Sequence, residues 1–301
     1  MKNFSKFILA AGLLLAALTA HAQSQASCSF SQYRLASSQN DVTYPHGVND
    51  FNNSVGEFTT QPSPGTLLTR GFIRFGNGSV SLFTFPHARI TSIFDRNDAG
   101  TMVGFAVDST TNKFQGFVLH NGTFVAVNHP NAGNGTLLSR INKNGVILGA
   151  VFNSSDLFQG FKLVNGSFTS IHFPGSDQTF PGGINDHGEI VGWYTLPVGG
   201  SSGAFQGFTL VNGTYHTLNV LNSMGTELRG ISDAGTIVGV NHATEAGVSF
   251  LRKSSGAVEL ISVPGSFATE VTGISPVNGI ISGRAFFNSD GTWHGFTAKC
   301  Q

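Results

Sequence analysis

From residue 23 onward the apolar positions alternate with polar ones in short runs, and each run stops at Gly, Asn or Asp. No stretch there carries the three-to-four-residue spacing of an amphipathic helix, so the chain predicts strands joined by tight turns. The pattern also repeats. A Gly within one run recurs at Gly56, Gly104, Gly149, Gly192, Gly239 and Gly283, 43–48 residues apart. A Phe follows at Phe72, Phe117, Phe161, Phe208, Phe250 and Phe296, preceded by Gly except after Ser249. An Asn-Gly pair comes next at Asn77, Asn121, Asn165 and Asn212, and becomes Ser255-Gly256 in the fifth copy. A period of this length predicts a repeat architecture rather than one irregular domain.

The copy at Gly183–Val220 reads most plainly. A short strand over Phe180–Ile184 ends in the turn Asn185-Asp186-His187-Gly188, whose short polar side chains bond local backbone and whose Gly accepts positive φ. The next strand, Glu189–Tyr194, carries branched and aromatic residues suited to a pleated surface. A third, Phe205–Val211, meets Asn212-Gly213, a strong hairpin signal, and Tyr215–Val220 is the fourth. Four antiparallel strands per repeat is the pattern of a β-propeller blade.

The two ends of the chain decide the arrangement. Cys28–Leu35 aligns with Gly213–Val220, a fourth strand with no three before it, and Trp293–Cys300 aligns with a third strand that lacks a fourth. Together they make one blade. The expected fold is therefore all-β, a six-bladed β-propeller of four-stranded antiparallel blades, with the ring closed by a 3+1 blade. Blades are expected near 44–90, 91–136, 137–178, 179–224, 225–267 and 268–301 plus 28–36. In that alignment Cys300 stands where Asn212 does and Cys28 where Gly213 does, so a disulfide between the two cysteines would take the place of a hairpin turn. Two cysteines in an exported chain favour a disulfide over free thiols.

Export is expected from the first 22 residues: Lys2 and Lys6 precede the apolar run Phe7–Leu18, and Ala20-His21-Ala22 gives the small–x–small pattern of a signal-peptide cleavage site. That apolar run is shorter than the about 20 residues a spanning helix needs, and none follows. Residues 23–301 then form a single secreted domain, expected to be a monomer. Only 11% of residues are charged, with 16 basic and 16 acidic, against roughly 25% in an average soluble protein. Without a basic run the chain has no footprint for nucleic acid or an anionic membrane.

The unit resembles the repeat of the extracellular HAF-repeat family, named for a His-Ala-Phe triplet near the third strand. The likeness covers roughly Tyr44 to Phe296, and the matching positions read His294-Gly295-Phe296 and Gln-Gly-Phe at 115–117, 159–161 and 206–208. The resemblance implies secretion and a repeat β fold, and brings no activity or catalytic residues.

Chemistry has few places to live. The Asn-Asp-x-Gly and Asn-Gly turns read as the structural punctuation of one face, and loops of varying length, such as Thr195–Ala204, gather on the other, where binding is expected. The innermost strands place Gly47, Asp95, Arg140, Gly183, Gly230 and Gly273 at equivalent positions, so two blades contribute Asp95 and Arg140 where the others have Gly. Glu227, Arg229 and Glu270 stand close by in blades five and six. These five charged residues form the candidate ligand site at a channel mouth, against a bland reading as a lining salt bridge with solvated loop charges. Gly199–Gly203 has nucleophile-elbow spacing but sits in a flexible loop rather than at a strand-to-helix turn. Asp95–Gly100 begins like a calcium loop, but Ala106 stands where the closing carboxylate belongs. His129, His172 and His216 occupy unrelated offsets, so no metal is expected, nor any cofactor. The 27 phenylalanines read as blade-to-blade packing.

The favoured expectation is an extracellular binding or interaction module, with a carbohydrate or a protein as partner. One alternative is a six-bladed lyase or glycan hydrolase, with Glu227 and Glu270 as acid and base and Arg140 or Arg229 binding an anionic substrate. A third is a purely structural surface protein.

Overall fold

The computed structural model describes residues 24–35, 38, 40–63, 65–153, 157–198, 201–202, 204–221, 225–242 and 247–301. The expected signal peptide and most of the elbow-like stretch Gly199–Gly203 lie outside the described residues. Every regular element described is a strand. The first, β1 (Cys28–Tyr33), is followed by β2 (Val42–Val48), β3 (Ser54–Ser63), β4 (Thr66–Arg74) and β5 (Val80–Phe83), which pair antiparallel in that order from β2 on. The same run recurs as β6 (Ala88–Arg96), β7 (Met102–Asp108), β8 (Phe114–His120) and β9 (Thr123–Val127), then as β10 (Gly135–Ile141), β11 (Ile147–Phe152), β12 (Phe158–Val164) and β13 (Ser167–Ile171). A fourth run has β14 (Gln178–Ile184) and β15 (Ile190–Thr195), a two-residue hairpin of β16 (Pro197–Val198) with β17 (Ser201–Ser202), then β18 (Gln206–Val211) and β19 (Thr214–Thr217). The fifth contains β20 (Thr226–Ile231), β21 (Ile237–Asn241), β22 (Val248–Arg252) and β23 (Val258–Leu260). Finally β24 (Ala268–Ile274), β25 (Ile280–Phe287) and β26 (Thr292–Cys300) take β1 as their fourth strand.

Single parallel bridges link the first unit to the second, the second to the third and the third to the fourth, and an isolated Gln25–Leu260 bridge links the fifth to the segment before β1; among the described residues no strand pairing joins the fourth unit to the fifth or the sixth to the first, so the hydrogen-bonded sheet is not closed. A Cys28–Cys300 disulfide is present, and the two cysteines are register partners of β1 and β26.

The repeated Gly and Phe turn out to be one device. Gly56 pairs across the strands with Phe72, Gly104 with Phe117, Gly149 with Phe161, Gly192 with Phe208, Gly239 with Phe250 and Gly283 with Phe296. All six Phe rings are at most 1% exposed. A Cβ on Gly104 would lie 3.0 Å from the Phe117 ring and press on the Ser92 carbonyl. The ring can fold over the strand only because that Cβ is missing.

The turns form a second device. Asn185 Oδ1 accepts from the His187 and Glu189 amides at 3.1 and 2.9 Å, holding its own turn, while its Nδ2 donates to the Ser232 carbonyl of the next unit at 3.2 Å. Asn97 and Asn142 likewise donate forward, to the Asn142 and Asn185 carbonyls, at 3.2 and 3.1 Å. The Asp50 amide donates to Asp98 Oδ1, and the Asp233 amide to the Pro276 carbonyl. The Val277 and Asn278 amides of the sixth unit donate to Asp50 Oδ1 of the first, at 3.1 and 2.6 Å. Each turn is therefore tied to its successor, and the last to the first.

Candidate functional site

The site is built by a bulge. At one equivalent place in each innermost strand the pairing skips a residue: His46, Phe94, Ser139, Gly182, Arg229 and Thr272. A bulge re-aims the side chains around it. The residue after each bulge, Gly47, Asp95, Arg140, Gly183, Gly230 or Gly273, faces a narrow cavity of about 30 Å³ near the turns. Five of the bulged residues, all but Ser139, line a cup of about 360 Å³ at the other end. Gly is needed at the axis because backbones meet there: a Cβ on Gly183 would stand 2.6 Å from the Gly230 Cα.

Arg140 lines both spaces and separates them. Its guanidinium crosses the axis, donating to the Ser139, Arg229 and Thr272 carbonyls at 2.8, 3.0 and 2.8 Å. Asp95 lies on the turn side, where its Oδ2 accepts from the Ile141 amide at 3.0 Å. Burial pushes the Asp95 carboxyl up to about 6, although Arg140 and the Ile141 amide pull the other way. Its side chain and that of Asp98, which accepts from Asp50, are engaged with backbone amides.

Glu227, Arg229 and Glu270 belong to the cup end instead. Arg229 reaches Glu227 Oε2 through Nη2 at 2.8 Å and Glu270 Oε1 through Nη1 at 2.6 Å. Arg284 also pairs with Glu270 at 2.7 Å, and its guanidinium lies between the Tyr44 and Trp293 rings, 3.7 and 4.3 Å from their centroids. The Tyr44 hydroxyl donates to Glu270 Oε1 at 3.2 Å. Burial would raise Glu270, but Arg229 and Arg284 outweigh it and hold the carboxyl down at about 2. Glu227 is also lowered, since His242 and Arg229 override its burial. Both glutamates therefore stand as ions at neutral pH. Thus the five charged residues singled out in the sequence divide between two ends of the axis, with Arg140 as the partition.

The remaining wall is aromatic. Rings touch in succession from Tyr44 to His46 (4.6 Å between centroids), to Phe94 (4.1 Å) and to Phe105 (5.7 Å). The line continues through Phe114, Phe152 and Phe158 to Phe180 and Trp193, then Phe205 and His242. His242 is 3.5 Å from Glu227, where the ion-paired sector begins. Glu57 faces the cup beside His46, 3.9 Å away, and is lowered because the imidazole contact outweighs its burial.

Tyr44, His46, Glu57, Phe94, Phe105, Phe180, Trp193 and Arg284 were not singled out in the sequence. A signal existed. The residue after the repeated Gly reads Glu57, Phe105, Ala150, Trp193, Val240 and Arg284, a variable position directly after an invariant one.

No protein-family model matches the chain, and no curated protein matches it in sequence. Solved structures do resemble it. A catalytically inactive virginiamycin B lyase from Staphylococcus aureus, bound to quinupristin, is 12% identical with a TM-score of 0.51, over 90% of this chain and 99% of that one. The β-propeller domain of the Trilobed protease from Pyrococcus furiosus, of open velcro topology, is 9% identical with a TM-score of 0.54, over 86% and 79%. Trypanosoma rangeli sialidase is 7% identical with a TM-score of 0.53, over 90% and 59%. Identities this low carry the fold alone. That fold is a β-propeller. No helix among the described residues is long and apolar enough to cross a membrane.

Proposed function

We propose that the protein is a secreted six-bladed β-propeller that acts as a binding module, taking a neutral, ring-bearing ligand such as a carbohydrate in the aromatic cup. The observation that carries this reading is the state of the charges in the cup. Arg229 and Arg284 are consumed by Glu227 and Glu270, and Arg140 by three carbonyls. An anionic substrate finds no free guanidinium there, whereas the ring edges and faces of Phe94, Phe105, Phe180 and Trp193 offer apolar contact to a sugar ring. Glu57, whose ion-pair partner among the described residues is His46 rather than an arginine, supplies acceptor oxygens for hydroxyl groups.

The glycan-hydrolase half of the enzyme alternative lacks an acid at Glu227 and Glu270. Glycoside hydrolysis needs one carboxyl kept protonated near neutral pH, and both glutamates here are held below their ordinary range. Six blades and a closed ring are supported by the six four-strand units, the six bulges and the turn-to-turn hydrogen bonds that return from the sixth unit to the first. The disulfide fits an oxidising compartment, in keeping with the leader and with the HAF-repeat resemblance.

A glycan array probed with the exported protein tests the reading. Binding to a defined set of neutral glycans is expected, and Trp193→Ala should abolish it without unfolding the protein. Release of cleaved product from a bound glycan would move the protein to the enzymes. Silence across the array, with Trp193→Ala indistinguishable from wild type in any partner screen, would leave a structural surface protein.

A further inference from the structure

A second cleft lies on the flank, where the first unit meets β1 of the sixth. Its lining is Tyr33, Arg34, Leu35, Phe58, Arg74, Gly78, Val80 and Leu82, around about 470 Å³. It lies where the first unit differs at three aligned places from the second, third and fourth, a pattern the fifth unit shares through Val220, Arg252 and Val258. The residue whose amide donates to the Thr at the start of the innermost strand is Phe85, His129 and Phe173 ahead of the second, third and fourth units, but Leu35 ahead of the first. In the outer strand Phe124, Phe168 and Tyr215 are cross-strand partners of Leu119, Leu163 and Leu210, and the matching pair in the first unit is Val80 and Arg74. In those three units the filler rings pack on the buried Phe at 5.0–6.2 Å. Phe72 meets the edge of Tyr33 at 6.4 Å instead.

The cleft is also basic. Arg34 and Arg74 line it, and Arg70 stands on the same face of β4, opposite Phe58. None of the three forms an ion pair among the described residues, and no carboxylate lines the cleft. Arg34 Nε, Arg70 Nε and Arg74 Nη1 are buried without an acceptor. A buried guanidinium N–H with no acceptor is costly, and an oxyanion is the partner its geometry suits. Beside the cations, Val80 and Leu82 are 41% and 38% exposed, and the Tyr33 ring lies under Arg74 at 4.6 Å.

We propose that this cleft is a second ligand site, selective for an organic oxyanion, a carboxylate or sulfate on an apolar stem, with Arg34 and Arg74 holding the anion and Val80, Leu82 and Tyr33 the stem. The site is independent of the cup and of its carbohydrate reading. The test is calorimetric titration of the full exported chain at low salt with octanoate, octyl sulfate and octyl glucoside. Octanoate or octyl sulfate should bind at least tenfold more tightly than octyl glucoside, with the tighter of the two naming the anion. Arg74→Gln and, at the rim, Arg34→Gln should each weaken that binding about tenfold, while Trp193→Ala in the cup leaves it unchanged. If Arg74→Gln unfolds the protein, Arg34→Gln decides alone. Equal binding of the glucoside, indifference to Arg34→Gln, or sensitivity to Trp193→Ala would each overturn the proposal.

Discussion

The two ends of the propeller axis are built by opposite means. At the turn end, the parts repeat: an Asn or Ser holds each turn, hydrogen bonds between side chains and backbone join neighbouring turns, and every unit engages the next. At the cup end, no two units contribute alike. The first gives Tyr44, His46 and Glu57, the second Phe94 and Phe105, the fourth Phe180 and Trp193, and the fifth and sixth a chain of ion pairs. One end is kept uniform by the need to join six units, which leaves the other free to differ. Stability should therefore respond to changes at the turns and binding to changes in the cup.

The largest expected effect falls on the turn end. Replacing Cys28 and Cys300 by Ser frees a loop of 272 residues in sequence separation, and the loss should be in the range of about 2–5 kcal/mol; chemical denaturation with and without reductant measures it. Asn142→Ala comes next. It removes acceptors for the Asn144 and Val146 amides and the donor to the Asn185 carbonyl, all buried or half-buried, at a cost of roughly 2–3 kcal/mol. An Asn142→Ala protein as stable as wild type would break the comparison.

A smaller effect, with a sign of its own, belongs to Asp95. Its carboxyl is raised to about 6 from an ordinary value of 3.8, so the folded protein binds its proton more readily than the unfolded chain does. Stability from this group is complete below pH 4 and is lost as pH rises through 6. Glu270, held at about 2, works in the reverse sense, contributing above its ordinary value and losing that contribution as pH falls from about 4.5 towards 2. Asp95→Asn should flatten the stability profile between pH 4 and 6 and leave the acid limb in place. The smallest change in stability, about 1 kcal/mol from lost ring contacts, is expected for Trp193→Ala, the variant that should cost the most in binding.

The fold was legible because its signals have local causes. Gly104 and Phe117 recur as a pair because one covers the other, and Asn185 recurs because a turn needs its side chain. Even the joining of Cys28 to Cys300 could be read, since both ends align to the same hairpin. The site was harder. Asp95 and Glu227 fall together when strands are laid side by side, but the bulge sends the residue at Asp95's position towards the turns while its predecessor, Phe94, lines the cup. A bulge has no letter of its own. Nor does composition separate Phe117, which is fully buried, from Phe105, which is half-buried at the cup wall.

The placement of β1 also has a consequence in time. A chain that emerges from a ribosome or a translocation pore presents Cys28–Tyr33 first, but the strand it pairs with, Thr292–Cys300, comes last. The opening strand must wait, unpaired and with a free thiol, while every intervening unit is delivered. Contacts this distant in sequence make for slow folding. The final sheet is therefore assembled only once Thr292–Cys300 has been delivered, and the disulfide records that arrival.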